Sequence, residues 1–422
     1  MKGNQPLNGC DYLMLGFDYE LRRHGYAGNS CQIILDLAAA VSPDALRRRL
    51  DVLVKQCPVL GARATGVIHA RWKIPTSAVA PQVRVHCGDA ALLTRLVNDS
   101  LDVARGELAR FDLIEVAGGR MHVIFTWAHA LMDAHSAEHF VAVAGREDLP
   151  PPASEFIPLK KPQLPLKTRL QGTWKNLRAY HEFRNVAPRS LGRRHASAPK
   201  HQLFRVEKFS AVESAQVRAH ATKLAGVFGE AQYHAAVAIL ELKKFQEQLG
   251  CPSPSFVLPV PVGVRPKGNV EPLFSNQISS LLLQLLPVHL ESVATAVAAL
   301  KNQTAHALRE GIVDGCAFFT DFLRVVPRPA YMAFMRHGLK GEICSLFYGN
   351  TAAVSPLVTT FLGAAIEDFT HNAAVPELPG LGVIFYQFRG ELRVTVAHLA
   401  ETLDENEAAQ FAMALRTRLL NP

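Results

Sequence analysis

The stretch Trp127-Ala-His129-Ala-Leu-Met-Asp133-Ala-His135 decides how this chain is interpreted, because polar groups here follow directly on an apolar segment. The residues from Met121 to Trp127 have the pattern of a buried strand, and a helix is predicted from about Asp133. His129 lies in the turn between them. A loop at the end of a strand is where a rigid scaffold presents reactive side chains. We therefore take His129 as the candidate reactive group.

Three chemical interpretations of this stretch remain open from its residues alone. The unperturbed pKa of a histidine, about 6.5, would let His129 act as a general base toward a hydroxyl or an amine. His129 could equally be a buried histidine with a structural role. Together with Asp133, His135 and His139 it could bind zinc, but the spacing does not follow the H-E-x-x-H pattern. The sequence therefore predicts no metal site.

The predicted secondary structure mixes strands and helices on both sides of this stretch. The first 150 residues predict strands over 31–37, 111–116 and 121–127, a hairpin over 64–74, and helices from 43 and over 90–103. Residues 206–422 predict helices over 211–224, 230–249, 293–309, 318–339 and 405–419, and strands over 255–262, 278–286, 357–365, 382–388 and 392–397. We therefore predict an α/β (α+β) protein with domains at 1–150 and 206–422, joined by a crossover at 151–205.

Positive charge is concentrated in the crossover. Between residues 158 and 200 there are eleven basic residues and one acid, Glu182, whereas the whole chain has a net charge of +8. One interpretation is a basic amphipathic helix that contacts an anionic membrane surface or an acidic carrier protein. The other is a connection whose cations only keep it solvated. Few aromatic residues alternate with the cations, so nucleic-acid binding is not predicted.

Composition limits the compartment and the class of protein. A hydrophobic content of 49% excludes global disorder. The seven cysteines are an odd number without a C-x-x-C pair, which is typical of a reducing compartment. The N-terminus lacks the apolar run of a secretory signal, and the longest uncharged apolar stretch, 278–288, is too short to cross a bilayer. We expect a cytoplasmic protein, with peripheral contact at the inner face of the membrane through residues 158–200 as an extension of that expectation.

The His129 stretch resembles the H-H-x-x-x-D-G motif of the CoA-dependent acyltransferases. This superfamily includes chloramphenicol acetyltransferase, the plant BAHD enzymes, peptide-synthetase condensation domains and wax ester synthase/diacylglycerol acyltransferases. Ala128 and Ala134 replace the first His and the final Gly of the motif. Four further blocks are similar to family segments and follow in the same order, at 6–11, 46–63, 261–279 and 384–403.

The resemblance implies a fold, a reaction and a set of co-substrates. The fold would be two chloramphenicol-acetyltransferase-like domains with an active-site tunnel between them. His129 would be the general base that helps to move an acyl group from acyl-CoA, or from a phosphopantetheinyl acyl carrier protein, to a small alcohol or amine. No further cofactor is implied, and the setting would be lipid or secondary-metabolite biosynthesis.

The resemblance also implies roles for residues around His129. Asp133 would pair with Arg265 and order the turn without taking part in the chemistry. Asn276, Thr359 and Thr360 are implied as contacts to the oxyanion or the substrate. The substitutions at 128 and 134, with Phe361 where relatives carry Asn, leave one alternative open. That alternative is a degenerate relative that binds an acyl or carrier partner without turnover.

Overall fold

The computed structural model describes residues 3–66, 70–77, 79–88, 90–152, 165–265 and 271–422. Lys160 and Lys161 of the basic crossover, and Pro266 of the predicted motif block 261–279, lie outside the described residues. The described helices are α1 Gly9–Arg23, α2 Pro43–Gln56, α3 Ala90–Val97, α4 Ala134–Gly145, α5 Leu166–Phe183, α6 Ala211–Ala225, α7 Glu230–Gln248, α8 Val293–Arg309, α9 Ile312–Leu323, α10 Arg328–Gly338 and α11 Glu405–Leu420.

The strands form four sheets among the described residues. Their bounds are β1 Asn4–Pro6, β2 Ser30–Leu37, β3 Arg63–Thr65, β4 Arg71–Lys73, β5 Gln82–Cys87, β6 Ala109–Val116, β7 Arg120–Ala128, β8 Gln202–Lys208, β9 Phe256–Gly263, β10 Ile278–Leu285, β11 Phe347–Ala353, β12 Thr360–Phe361, β13 Ala364–Asn372, β14 Leu381–Phe388 and β15 Glu391–Leu399. Together with the helices they make a mixed architecture, so the α/β prediction is confirmed.

The largest sheet has six strands in the order β12-β13-β2-β7-β6-β5. Its central strands β2 and β7 are apolar on both faces. Ile33 and Phe125 belong to the main N-terminal core, whereas Ile34 and Ile124 belong to a smaller cluster on the opposite face. Burial on both faces explains why these segments read as continuous apolar runs. Strand β7 lies between β2 and β6, so neighbouring strands flank the start of the turn that follows it.

A second sheet, β11-β14-β15-β8, forms the core of the C-terminal half. Helices α6 and α11 pack on this sheet, α7 and α8 pack on these helices and on each other, and α8 also packs on β10. Strands β9 and β10 form a separate antiparallel pair whose register joins Gly263 to Ile278. The connection between them carries two predicted site residues, Arg265 and Asn276. The two main sheets thus give the molecule two lobes with separate hydrophobic cores.

Two strands from late in the sequence belong to the N-terminal sheet. Strand β13 pairs with β2 from Asn372 opposite Gln32 to Ile366 opposite Leu37, and β12 continues that sheet outward. The chain therefore returns to the N-terminal lobe after most of the C-terminal lobe has been built. The ranges 1–150, 151–205 and 206–422 stay a prediction of domain organisation, since strand pairing alone does not define domains.

The helix predicted over 318–339 is wrong, because it is two helices. Helix α9 ends at Leu323 and α10 begins at Arg328. Pro327, with a φ of −55° and a ψ of 138°, precedes α10 and lies outside helical geometry. Proline lacks the amide hydrogen that a continuous helix needs, and it disfavours helical geometry in the residue before it.

Two further predicted boundaries are wrong. The strand predicted over 357–365 is mostly a turn, because Leu362 and Gly363 have positive φ angles and reverse the chain between β12 and β13. Helix α3 ends at Val97 and not near 103, since the Asn98-Asp99-Ser100 segment favours a turn. Across the described ranges, no helix is both long enough and apolar enough to span a membrane.

Candidate active site

The turn that carries His129 is fixed by backbone hydrogen bonds on both sides. The amide of His129 donates to the carbonyl of Asn29 at 3.0 Å. The indole Nε1 of Trp127, which is buried, donates to the carbonyl of Met132 at 3.0 Å. The second of these hydrogen bonds joins the end of β7 to the residue before Asp133, so it closes the turn that carries His129. This turn is a rigid support for one side chain.

The imidazole of His129 has one buried and one reachable nitrogen. The residue is partly exposed, but Nδ1 is buried and has no hydrogen-bond partner among the described residues. Nε2 is therefore the ring nitrogen that a substrate can reach. Burial lowers the pKa of His129 below its ordinary value, and the negative charge of Asp133 opposes this shift in part. The ring is consequently neutral at neutral pH, the state that a general base requires.

The side chain of Asn276 holds the backbone of the His129 turn by a hydrogen bond. Its Nδ2 donates to the carbonyl of His129 at 2.8 Å and to Oδ1 of Asp11 at 2.9 Å. Its own amide donates to the same Oδ1 at 2.8 Å. Asn276 is fully buried, so its amide group supports the turn and faces no open surface. The contact to substrate predicted for this residue stays a prediction.

Asp133 and Arg265 are brought together across the two lobes. Oδ2 of Asp133 lies 2.8 Å from Nη1 of Arg265, and both side chains are mostly buried. The same carboxylate caps α4 by accepting the amide of Ser136 at 3.0 Å, and it also accepts the amide of Gln277 at 2.9 Å. Arg265 donates to Oγ of Ser136 at 2.5 Å. The carboxylate is thus occupied by structural hydrogen bonds.

Thr359 and Thr360 are not brought to His129. The amide of Leu362 donates to the carbonyl of Gly145 at 2.7 Å, which places β12 at the C-terminal end of α4. His129 precedes the other end of this helix, about 18 Å away for a twelve-residue helix. Thr359 is exposed. The resemblance covers only a short segment here, and it does not indicate which end of α4 this segment contacts.

Phe361 belongs to the N-terminal hydrophobic core and is not part of the His129 site. Its side chain is 0% exposed, and its ring lies 6.2 Å from that of Phe111. Ala128, which replaces the first His of the motif, is likewise buried in the N-terminal core. Both substitutions are therefore packing features of this chain.

His135 of the motif region and His371 of β13 both lie against a buried carboxylate, that of Glu138. His135 lies 3.8 Å from Glu138, and Nε2 of His371 lies 2.7 Å from the same carboxylate. Burial opposes ionisation of Glu138, but the hydrogen bonds from the two histidines lower its pKa to about 2. In the parts of the chain that the structure describes, the one group of donor atoms close enough for a metal is His195, Asp404 and Glu407, in the other lobe.

Comparison with known proteins shows similarity of structure without detectable similarity of sequence. No family model matches the chain, and no curated protein matches it. Trichothecene 15-O-acetyltransferase from Fusarium sporotrichioides superposes with a TM-score of 0.73 at 11% identity, over 99% of this chain and 95% of that chain. The first condensation domain of the calcium-dependent antibiotic synthetase superposes with a TM-score of 0.70 at 16% identity, over 99% and 97%. The chain has the condensation-domain fold.

A third structure of the same fold is a complex with two ligands. The starter condensation domain of rhizomide synthetase, a mutant in complex with C8-CoA and Leu-SNAC, gives a TM-score of 0.68 at 13% identity, over 99% of this chain and 94% of that chain. At these identities the shared property is the fold alone. The predicted resemblance to the CoA-dependent acyltransferase superfamily is confirmed as a shared condensation-domain fold.

Two residues of the site were missed by the sequence analysis. Asn8 and Asp11 open helix α1 as a capping box, and both are buried. Asn8 Nδ2 also donates to the carbonyl of Asn276 at 3.0 Å. Burial raises the pKa of Asp11 to about 7, against the lowering effect of its hydrogen bonds with Asn276. The Asn-x-x-Asp spacing before an apolar run was the available signal, and it indicates a helix start without indicating the long-range partner.

Replacing Asn276 by alanine is expected to lower the free energy of unfolding by about 1–3 kcal/mol, because Asp11 and the carbonyl of His129 would lose buried hydrogen bonds. The measurement is urea unfolding followed by circular dichroism. Asn421→Ala, at an exposed position beyond α11, is the control and should change stability by less than about 0.5 kcal/mol. Equal stabilities of the two variants would contradict the supporting role of Asn276.

Proposed function

We propose that the protein is an acyltransferase that moves an acyl group from acyl-CoA or an acyl carrier protein to a small alcohol or amine, in lipid or secondary-metabolite biosynthesis. The observation that carries the proposal is the His129 imidazole, with Nδ1 buried, Nε2 reachable and a lowered pKa, on a turn held by Asn276 and Asp133. The condensation-domain fold supports it, because structures of this fold include an acetyltransferase and a complex with C8-CoA.

The proposed reaction is a single transfer in which His129 moves one proton. Nε2 accepts the proton of the acceptor O–H or N–H as the acceptor attacks the thioester carbonyl. The carbon–sulfur bond breaks, and the thiolate takes the proton back from the imidazolium. The products are an ester or amide and a free thiol. A positioned base of this kind contributes about 10²- to 10⁴-fold, and alignment of the two substrates supplies the remainder.

The proposal is tested by thiol release from a panel of short- and long-chain acyl-CoAs, each incubated with pooled alcohol and amine acceptors. We expect release that depends on the acceptor and is lost in His129→Ala. His122→Ala is a matched control, because His122 is a half-exposed histidine on β7 whose ring pairs with Asp36. If no acyl-CoA reacts, the panel is repeated with acyl-loaded carrier protein. Absence of thiol release with both kinds of donor would overturn the proposed acyl transfer. It would favour the alternative of a protein that binds an acyl or carrier partner without turnover.

The pH dependence of the proposed activity follows from the lowered pKa of His129. The base must be unprotonated, so activity should be complete above this pKa and be lost as the pH falls through it. We therefore expect the acid limb of kcat against pH to have its midpoint below 6.5, the ordinary histidine value. Stopped-time thiol assays between pH 4.5 and 8 measure it. A midpoint above 6.5 would contradict the burial of the ring as the controlling effect.

We also propose a narrower form of the predicted membrane contact, limited to helix α5. Four of the cations between residues 158 and 200 are neutralised by glutamates of the C-terminal half, in the ion pairs Lys175–Glu310, Arg193–Glu377, Arg194–Glu407 and Lys200–Glu401. Lys175 belongs to α5, but this helix also exposes Leu166, Leu170 and Trp174 to the extent of 58%, 53% and 68%. These residues recur every four positions, so they share one face, and the exposed Lys167 lies beside them.

The contact of α5 with an anionic surface can be followed by its tryptophan. Trp72 and Trp127 are fully buried, so Trp174 is the tryptophan whose emission responds to a new environment. Phosphatidylglycerol vesicles should shift its emission to shorter wavelength, and salt should weaken binding. Leu170→Gln should reduce binding, whereas phosphatidylcholine vesicles should not bind. Absence of any shift with anionic vesicles would contradict the contact.

A further inference from the structure

A cavity of about 230 Å³ lies in the C-terminal lobe, outside the elements that hold His129. It is bounded by the first turn of α7, by the loop before that helix, and by strands β11 and β14. Its apolar wall includes Phe228, Phe385 and Leu392, and its polar groups include Glu230, His234 and Asn350. The volume corresponds to about eight water molecules at about 30 Å³ of liquid each, so the cavity suits a small organic molecule.

The shape of the cavity comes from irregular backbone. Strand β11 has a bulge between Asn350 and Ala352, and Ala352 has a φ of 57°. Beside it, the loop before α7 presents Phe228, which is 97% exposed. A bulge at the edge of a sheet is a common device for redirecting side chains at functional sites. An almost fully exposed phenylalanine at the rim of a cavity adds apolar surface that the folded chain itself leaves uncovered.

His234 is a buried hydrogen-bond donor without a partner in this cavity. The residue is 2% exposed, and its ring stacks on Phe385 at 4.4 Å. The Asn350 amide is oriented by the Ala352 N–H, which donates to its Oδ1 at 3.0 Å, so its Nδ2 donates toward Nδ1 of His234 at 3.3 Å. Nδ1 therefore accepts, and Nε2 carries the hydrogen. Nε2 is buried and unpartnered among the described residues.

Glu230 supplies an uncompensated negative charge next to this donor. Its Oε1 lies 3.9 Å from Nε2 of His234, beyond hydrogen-bond distance, and accepts the amide of Gln387 at 2.9 Å. No lysine or arginine of the described chain lies within ion-pair distance of it. Burial lowers the pKa of His234 to about 3, so the imidazole is neutral and does not offset the carboxylate. The cavity thus offers one anion and one neutral N–H donor.

We infer that this cavity binds a small amino alcohol with one aromatic or apolar substituent. The ammonium group of such a molecule would donate to Glu230 and lie near the face of Phe228. Its hydroxyl oxygen would accept the Nε2 hydrogen of His234, the group that is otherwise unsatisfied. The apolar substituent would cover Phe385 and Leu392. The site is separate from the proposed acyl-transfer site and does not depend on turnover there.

The test is isothermal titration of the full chain with 2-amino-1-phenylethanol, which has the required ammonium, hydroxyl and ring. Its uncharged isostere 1-phenyl-1,2-ethanediol should bind about tenfold more weakly, since it loses the charge-assisted hydrogen bond to Glu230. Glu230→Gln should weaken the amino alcohol by a similar factor. Glu247→Gln is the matched control, because Glu247 is an exposed glutamate on the same helix that pairs with Lys243.

Each of the following results would overturn the inference: absence of saturable heat up to millimolar ligand, equal affinity of the amino alcohol and the diol, or unchanged affinity in Glu230→Gln. Phe228→Ala is a second variant that cannot disturb a core, because Phe228 is almost fully exposed, and it should also weaken binding. Titration of His129→Ala separates the two sites. Affinity retained there supports the cavity as the binding site, and affinity lost there would assign the ligand to the acceptor side of the His129 site.

Discussion

Alanine at position 129 is expected to lower kcat by about 10²- to 10⁴-fold, the contribution of one positioned general base. The effect should fall on kcat more than on KM, because the imidazole is needed for proton transfer. The measurement is steady-state thiol release with the best donor and acceptor from the panel. His129→Gln, which keeps a polar side chain without a basic nitrogen, should show the same loss.

Stability measurements must accompany the His129 comparison. Nδ1 of His129 has no hydrogen-bond partner among the described residues, so replacing the ring costs no hydrogen bond at this nitrogen. The hydrogen bond from Asn276 is made to the backbone carbonyl of residue 129 and survives the substitution. We therefore expect nearly unchanged unfolding curves. A loss of activity that is matched by a large loss of stability would argue for the structural interpretation of His129.

Alanine at position 133 is expected to lower the free energy of unfolding by about 3–5 kcal/mol, because it leaves the guanidinium of Arg265 mostly buried without its carboxylate. The substitution also removes the N-cap of α4, for which the amide of Ser136 is the donor. The measurement is guanidinium unfolding of the variant and the wild-type chain, monitored by circular dichroism and fluorescence so that coincidence of the two probes checks for intermediates.

Two variants show whether the loss in Asp133→Ala comes from the ion pair. Glu182→Ala removes the carboxylate of the exposed Arg178–Glu182 pair on α5 and should cost at most about 1 kcal/mol. The double variant Asp133→Ala/Arg265→Met removes both charges and should recover part of the loss. If Asp133→Ala and Glu182→Ala were equally mild, the pairing would have no structural importance.

The local parts of the fold could be predicted because their signals are local. Ser42 accepts the amide of Ala45 at 3.2 Å and Pro43 begins α2, as their cap preferences predict. Gly118 and Gly119 join β6 to β7 with positive φ angles, as a glycine pair between two apolar runs predicts. Helix α8 has the predicted bounds. Each of these features depends on residues within a few positions of one another.

The site could be predicted only in part, because its supports come from distant positions. Asn276 reaches the carbonyl of His129 and the carboxylate of Asp11, and neither contact leaves a periodicity that a single sequence shows. The partner of Asp133 came from resemblance to a family and not from spacing. The same kind of reasoning misplaced Thr359 and Thr360, because β12 is short and its position is set by pairing with β13. Long-range pairing is thus the limit of local patterns.

The return of β13 to the N-terminal sheet has a consequence for biosynthesis. Strand β2 is translated early, whereas its neighbour β13 emerges from the ribosome when most of the chain has been made. Until then, one edge of β2 and its apolar side chains have no native partner, and an open apolar edge favours pairing between chains. Nascent chains of this protein are therefore expected to need protection by chaperones. An isolated N-terminal fragment is expected to aggregate, because it lacks the strand β13 that covers the edge of β2.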